Sequence, residues 1–186
     1  GLFLLGQSGR TAVARMMIEA GPDTCHWGYF DATLDPVATV PSGGEVTINT
    51  VSGAPVVLPG EGFHVPPELH AIHAMGPPTM PGHILTGPVA VEGARPGDVL
   101  QVDILDVGLR QHRRYNVIRP LVGTLPLDFD QTVLTHLPPD AEAGVARLPW
   151  GRDLALAPFL GVLAVAPPRV RGRLPTTYPR PHGRHP

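Results

Sequence analysis

Prolines and glycines limit the length of everything this chain can build. The sequence spreads 24 Pro and 22 Gly through its 186 residues, so most stretches meet a ring without an N–H, or a residue without a Cβ, before a helix can propagate. No long segment keeps a helical period. What survives is short extended segments joined by ordered loops. The chain therefore reads as one mainly β domain, an antiparallel β-sandwich or barrel-like fold with short helices and long Pro/Gly-rich loops. Its 42% hydrophobic content is enough for one sizeable core.

Three segments give this expectation detail. In "PSGGEVTINTVSG" a Pro-Ser-Gly-Gly turn precedes Glu45 to Val51, where Val46, Ile48 and Thr50 share one face and Glu45, Thr47 and Asn49 the other, the alternation of a half-buried strand. In "GPVAVEGARPGDVLQVDILDVGL" Val89 to Val91 is extended, Pro96-Gly97 suits the centre of a type II turn, and Val99 to Val107 is extended again. Leu100, Val102 and Ile104 are then expected to face the core, completing an antiparallel hairpin. Between these segments, Pro66-Pro67 opens a short helix that runs through Met75 and stops at Gly76. Residues 1–24, with Ala, Arg and Met at loose helical spacing, read as an extension outside the main fold. The apolar run "LALAPFLGVLAVAPP", broken by Pro158, reads as a buried pair of strands.

Several function classes drop out on composition. A net charge of -2 with no basic run lacks the electrostatic footprint of a nucleic-acid binder. "GLFLL" is too short to span a bilayer and has neither a basic flank nor a small-residue cleavage site, so the cytoplasm is the expected location. One cysteine, Cys25, permits no internal disulfide and no multi-thiolate zinc site. All 14 basic residues are Arg, so lysine-dependent chemistry is closed to this chain. The opening "GLFLLGQSGRTA" has Gln7 where a phosphate loop needs its Lys, and its glycine spacing is read as chance.

Nucleophiles are scarce. Ser8, Ser42 and Ser52 are the three serines, and "GQSGR" is one residue short of a nucleophile elbow. Cys25 adjoins His26, but neighbours in sequence rarely aim at each other, so Cys25 reads as a small buried hydrophobe. The nine histidines raise the question of a metal. His70 and His73 in "ELHAIH" lie three apart without the Glu and the i,i+4 spacing of the stronger zinc motif, and read as part of an amphipathic turn. His64, His112 and His136 read as surface residues. His26, in the aromatic cluster "HWGYFD" with Asp31 beyond it, His83 in "PGHILTG" and His182 beside Gly183 are the three that stand out.

Four stretches, "HWGYFDATLDPVATVPSGGEVTINTVSG", "GHILTGPVAVEGARPGDVLQVDILDV", "YNVIRPLVGTLP" and "GVARLPWG" with the following "LALAPFLGVLAVAPP", closely resemble the acetamidase/formamidase family, in that order. The resemblance runs from about Cys25 to Gly183 and implies a β-rich hydrolase that cleaves short aliphatic amides to a carboxylate and ammonia, as a homo-oligomer. "GRLPTTYPRPHG" is similar to a family segment that continues H-G-G-N-x-D-N, whereas here Arg184, His185 and Pro186 follow. The resemblance thus implies a family domain over 25–183, incomplete at the C-terminus, a non-family tail over 184–186, and a short chain that is itself inactive.

The residue inventory bears on mechanism within that resemblance. Amidases of the Cys-Glu-Lys and Ser-Ser-Lys kinds need a lysine, which leaves water as the nucleophile, activated by polar groups or by a divalent metal ion, zinc-like or calcium, with no organic cofactor. His83 and His182 are the expected metal ligands and Asp31 the proton-handling or supporting group. The rival from another class is a non-catalytic β domain that binds a small ligand, or an inactive truncated relative.

Overall fold

A computed structural model describes residues 15–60, 63–111 and 114–177. In chain order its strands are β1 (Arg15–Ile18), β2 (Cys25–Trp27), β3 (Tyr29–Phe30), β4 (Ala38–Val40), β5 (Glu45–Ile48), β6 (Ile84–Thr86), β7 (Val89–Val91), β8 (Arg114–Ile118), β9 (Val133–Leu137), β10 (Pro139–Asp140), β11 (Val145–Leu148), β12 (Arg152–Ala155) and β13 (Leu174–Pro175). The single α-helix among the described residues, α1, spans Pro67–Ala74. The molecule is mainly strand, as the punctuation by Pro and Gly requires. The finer expectation of an antiparallel sandwich or barrel is not established. Among the described residues the strands form five two-stranded sheets and one of three, none closed into a barrel, and the β1–β5 and β4–β7 pairings are parallel.

Local chemistry accounts for the elements that the sequence announced. α1 starts where the fixed φ of Pro67 suits a first turn that has no partner for its N–H groups. It ends at Met75, beyond which Gly76 takes φ +112°. Leu69 and Ile72, three apart on one helix face, are 0% and 2% exposed and lie in a core with Ala20, Cys25 and Val51, against which Trp27, Leu58, Val65 and Ile84 pack. Burying a Leu or Ile side chain to this degree contributes about 1.5–3 kcal/mol each. The described part of the N-terminal segment joins this structure, because β1 lies beside β5 in register from Arg15–Glu45 to Ile18–Ile48 and buries Ile18 and Ala20.

Two expectations about apolar segments are corrected. The turn at 95–98 forms, with Asp98 N–H donating to the Arg95 carbonyl and Gly97 at φ +102°, but the hairpin does not. β7 pairs instead with β4, and residues 99–107 form no strand, leaving Leu100, Val102 and Ile104 about half exposed. Alternation selected a face without supplying a surface to cover it. Likewise the run from Leu154 is not a buried strand pair. Only its first residues form strand, in β12 against β11, and Leu154, Phe159 and Val165 are all more than half exposed. His136, expected at the surface, is half buried on β9 opposite Tyr115, with its ring 5.4 Å from that of Phe63.

Candidate functional site

Three segments far apart in sequence meet at Gly28. β2 and β3 enter and leave it. β6 pairs antiparallel with β2 and brings the loop 80–83 alongside, and β13 pairs antiparallel with β3, bringing residues 173–176 from the far end of the described chain. The approach is close enough to demand glycine at two positions. A Cβ on Gly28, at φ +96°, would stand 1.7 Å from the Met80 carbonyl oxygen, and one on Gly82, at φ +144°, would stand 1.9 Å from Thr176 Oγ1. Both conformations also lie where an L-residue is strained.

His83 sits at this crossing with its main chain fully engaged. Its N–H donates to Thr176 Oγ1 at 2.8 Å, its carbonyl accepts from Gly28 N–H at 3.0 Å, and the preceding Gly82 carbonyl accepts from Trp27 Nε1 at 3.2 Å. Trp27 is itself stacked on His73, 5.4 Å between centroids, and His73 Nε2 bonds the Gly53 carbonyl at 2.9 Å. His73 thus has the structural role read from its spacing, while His64 and His70 are exposed.

Asp31, just after β3, is buried. One carboxylate oxygen accepts from Thr33 N–H at 2.8 Å and Thr33 Oγ1 at 2.6 Å, and the other accepts from Arg173 Nε at 2.9 Å. The Thr33 hydroxyl and N–H, followed by Arg173, hold its pKa at about 2. Arg173 also lies 4.6 Å above the Tyr29 ring, a cation–π contact, and Tyr29 packs at 5.3 Å against the His26 ring. Burial lowers the His26 pKa, although hydrogen bonds to the Gly87 and Tyr29 carbonyls and the nearby Asp31 charge oppose it. Cys25 is buried with Sγ 3.4 Å from Thr86 Oγ1.

Of Asp31, His83 and His182, the first two therefore flank the same crossing, bonded by Arg173 and Thr176 at either end of β13. His182 lies outside the described residues. Arg173 and Thr176 were not anticipated. The one available signal was their place in "GRLPTTYPRPHG", since a two-residue strand carries no periodicity of its own. For a metal the fit is incomplete. Among the described residues no group of three or more His, Cys, Asp or Glu converges, and both Asp31 oxygens already have donors.

The family model described as the Acetamidase/Formamidase family matches residues 34–169. An acetamidase from Mycolicibacterium smegmatis is 68% identical over 28 residues, covering 15% of this chain and 7% of that protein. A formamidase from Methylophilus methylotrophus is 69% identical over 26 residues, covering 14% of this chain and 6% of that protein. The relatives' matches are brief, whereas the family match takes in most of the chain, from the loop after Asp31 to the residues just before β13: the chain belongs to the acetamidase/formamidase family.

Proposed function

We propose that the protein hydrolyses short aliphatic amides of the acetamide and formamide class to the carboxylate and ammonia. Membership of the family supports the reaction class, and the observation that carries the site assignment is the main chain of Gly82 and His83, tied to Trp27, Thr176 and Gly28. His83 is exposed, and a backbone so fixed sets the point and direction from which its side chain leaves, which favours a group acting on a small, weakly held substrate. In the reaction, water oxygen adds to the amide carbonyl carbon, the C–N bond breaks and the departing nitrogen takes up a proton. Without a bound ion an imidazole at His83 is suited to move that proton, and as a ligand it would instead help to hold the ion that activates the water. Asp31, held at a pKa of about 2, is a weak base at neutral pH, and its role in this reading is to stay ionised and fix Arg173 and Thr33.

A divalent ion belongs to the proposal through His83 and His182, and when bound it would polarise the amide carbonyl and acidify water. Homo-oligomeric assembly and a cytoplasmic location belong to it as well. No helix among the described residues is long and apolar enough to cross a membrane.

The test is ammonia release from formamide and acetamide, by this chain and by a form extended with the family's later segments, before and after chelation. Release that His83→Ala reduces about 100-fold or more is expected. Release that survives exhaustive chelation would remove the ion and leave the amidase. A His83→Ala variant with unaltered kcat/KM would remove His83.

A further inference from the structure

We infer that Thr176 is a positioning residue for His83, an assignment that rests on the amidase reading and names the residue that holds its centre in place. Three hydrogen bonds close a ring across three segments. Thr176 N–H donates to the Gly28 carbonyl at 2.8 Å, Gly28 N–H donates to the His83 carbonyl at 3.0 Å, and His83 N–H donates to Thr176 Oγ1 at 2.8 Å. Two of these links are main chain to main chain, and any side chain at 176 other than Pro could preserve the first. The third depends on a hydroxyl.

That hydroxyl is not at the surface, where water could replace it. Thr176 is 2% exposed, so losing its oxygen leaves the N–H of the exposed His83 without the acceptor of a partly buried hydrogen bond. The other wall of the ring is equally committed, because Gly82 has no room for a Cβ beside Thr176 Oγ1. Opening the ring frees the His83 main chain on one side only, since the Gly82 carbonyl keeps Trp27. The expected result is displacement of the imidazole rather than loss of the fold. Arg173, three residues earlier, grips Asp31, so the same short stretch sets both flanks of the site.

Three variants separate positioning from mere stability. Thr176→Val keeps the shape and removes the acceptor, Thr176→Ser keeps the acceptor, and Thr176→Ala replaces the Val variant if that does not fold. The His83 imidazole resonances, followed by NMR in the whole chain, should be unchanged in the Ser variant and shifted or doubled in the Val or Ala variant. In the ammonia assay, kcat per folded molecule should fall about 10- to 100-fold in the Val or Ala variant with KM within about twofold, and the Ser variant should recover it to within about threefold. Unchanged His83 resonances in a folded Val or Ala variant overturn the inference, as does a kcat that changes no more than the folded fraction does. If neither this chain nor the form extended with the family's later segments releases ammonia, the amidase reading fails, and the His83 resonances still decide whether Thr176 places that ring.

Discussion

Between Ile18 and Ile84 a set of apolar side chains meets, although Val56 and Met75 stay exposed: Leu69 and Ile72 project from α1 onto Ala20, Cys25 and Val51, with Trp27, Leu58 and Val65 around them. Between Val99 and Val170 residues of the same kinds stand apart. Val99 is 95% exposed, Leu127 85% and Phe159 66%, and among the described residues there only Gln111, Pro139, Ala146 and Pro167 are buried. Alternation and apolar content are similar in the two regions. What differs is whether a second element with its own apolar face lies opposite. α1 gives the first region that element, whereas β8–β9 and β10–β11–β12 are, among the described residues, sheets of only two and three strands. The candidate site belongs to the packed region, and β13 returns to it after the open one.

The difference should be largest in the response to truncation of a Leu. Leu69→Ala is expected to cost about 2–5 kcal/mol, because it removes a fully buried side chain and leaves a cavity. Leu100→Ala, at a half-exposed position, should change stability by no more than about 0.5 kcal/mol. Urea midpoints at constant m-value measure both. Equal losses would mean that the 99–107 segment is packed in solution, and the contrast between regions would be void.

The extent to which the sequence disclosed this arrangement follows from the range over which each signal acts. α1 was legible because its start and stop are set by Pro66, Pro67 and Gly76, and the 95–98 turn because Pro96-Gly97 fixes its own dihedrals. β5 was legible as a strand over Glu45–Ile48, but the expected alternation to Val51 does not hold, since Ile48 is exposed and residues 49–51 are not strand. The pairing of β7 with β4 was not, since Val89–Val91 would read the same against any neighbour. The site divides in the same way. Asp31 and His83 were singled out as chemistry-bearing residues in recognisable surroundings, but Thr176, some ninety residues beyond His83, joins it through a strand of two residues. No local pattern encodes that meeting.

A smaller effect sharpens the comparison from the side of charge. Burial favours the neutral ring of His26, so its contribution to stability is complete above the ordinary imidazole value of 6.5 and is lost as acid charges the folded ring below that pH. Asp31, with its folded pKa lowered, contributes fully above its ordinary 3.8 and loses that contribution as the pH falls through about 2. The stability difference between the parent and Asp31→Asn should therefore be complete near pH 7 and close as the pH is lowered from about 4 to about 2. Urea melts across that range measure it. A difference independent of pH would mean that Thr33 and Arg173 do not hold a carboxylate.

The central claim is that the site is a rigid crossing inside the packed region while the apolar segments beyond it are open. Amide hydrogen exchange resolved by residue tests it most directly. The amides of Gly28, His83 and Thr176, each a donor in the crossing, should exchange as slowly as those of Leu69 and Ile72 in the core. Those of residues 99–107 should exchange orders of magnitude faster. Rapid exchange at His83 and Thr176, or protection of 99–107 equal to theirs, would contradict the account.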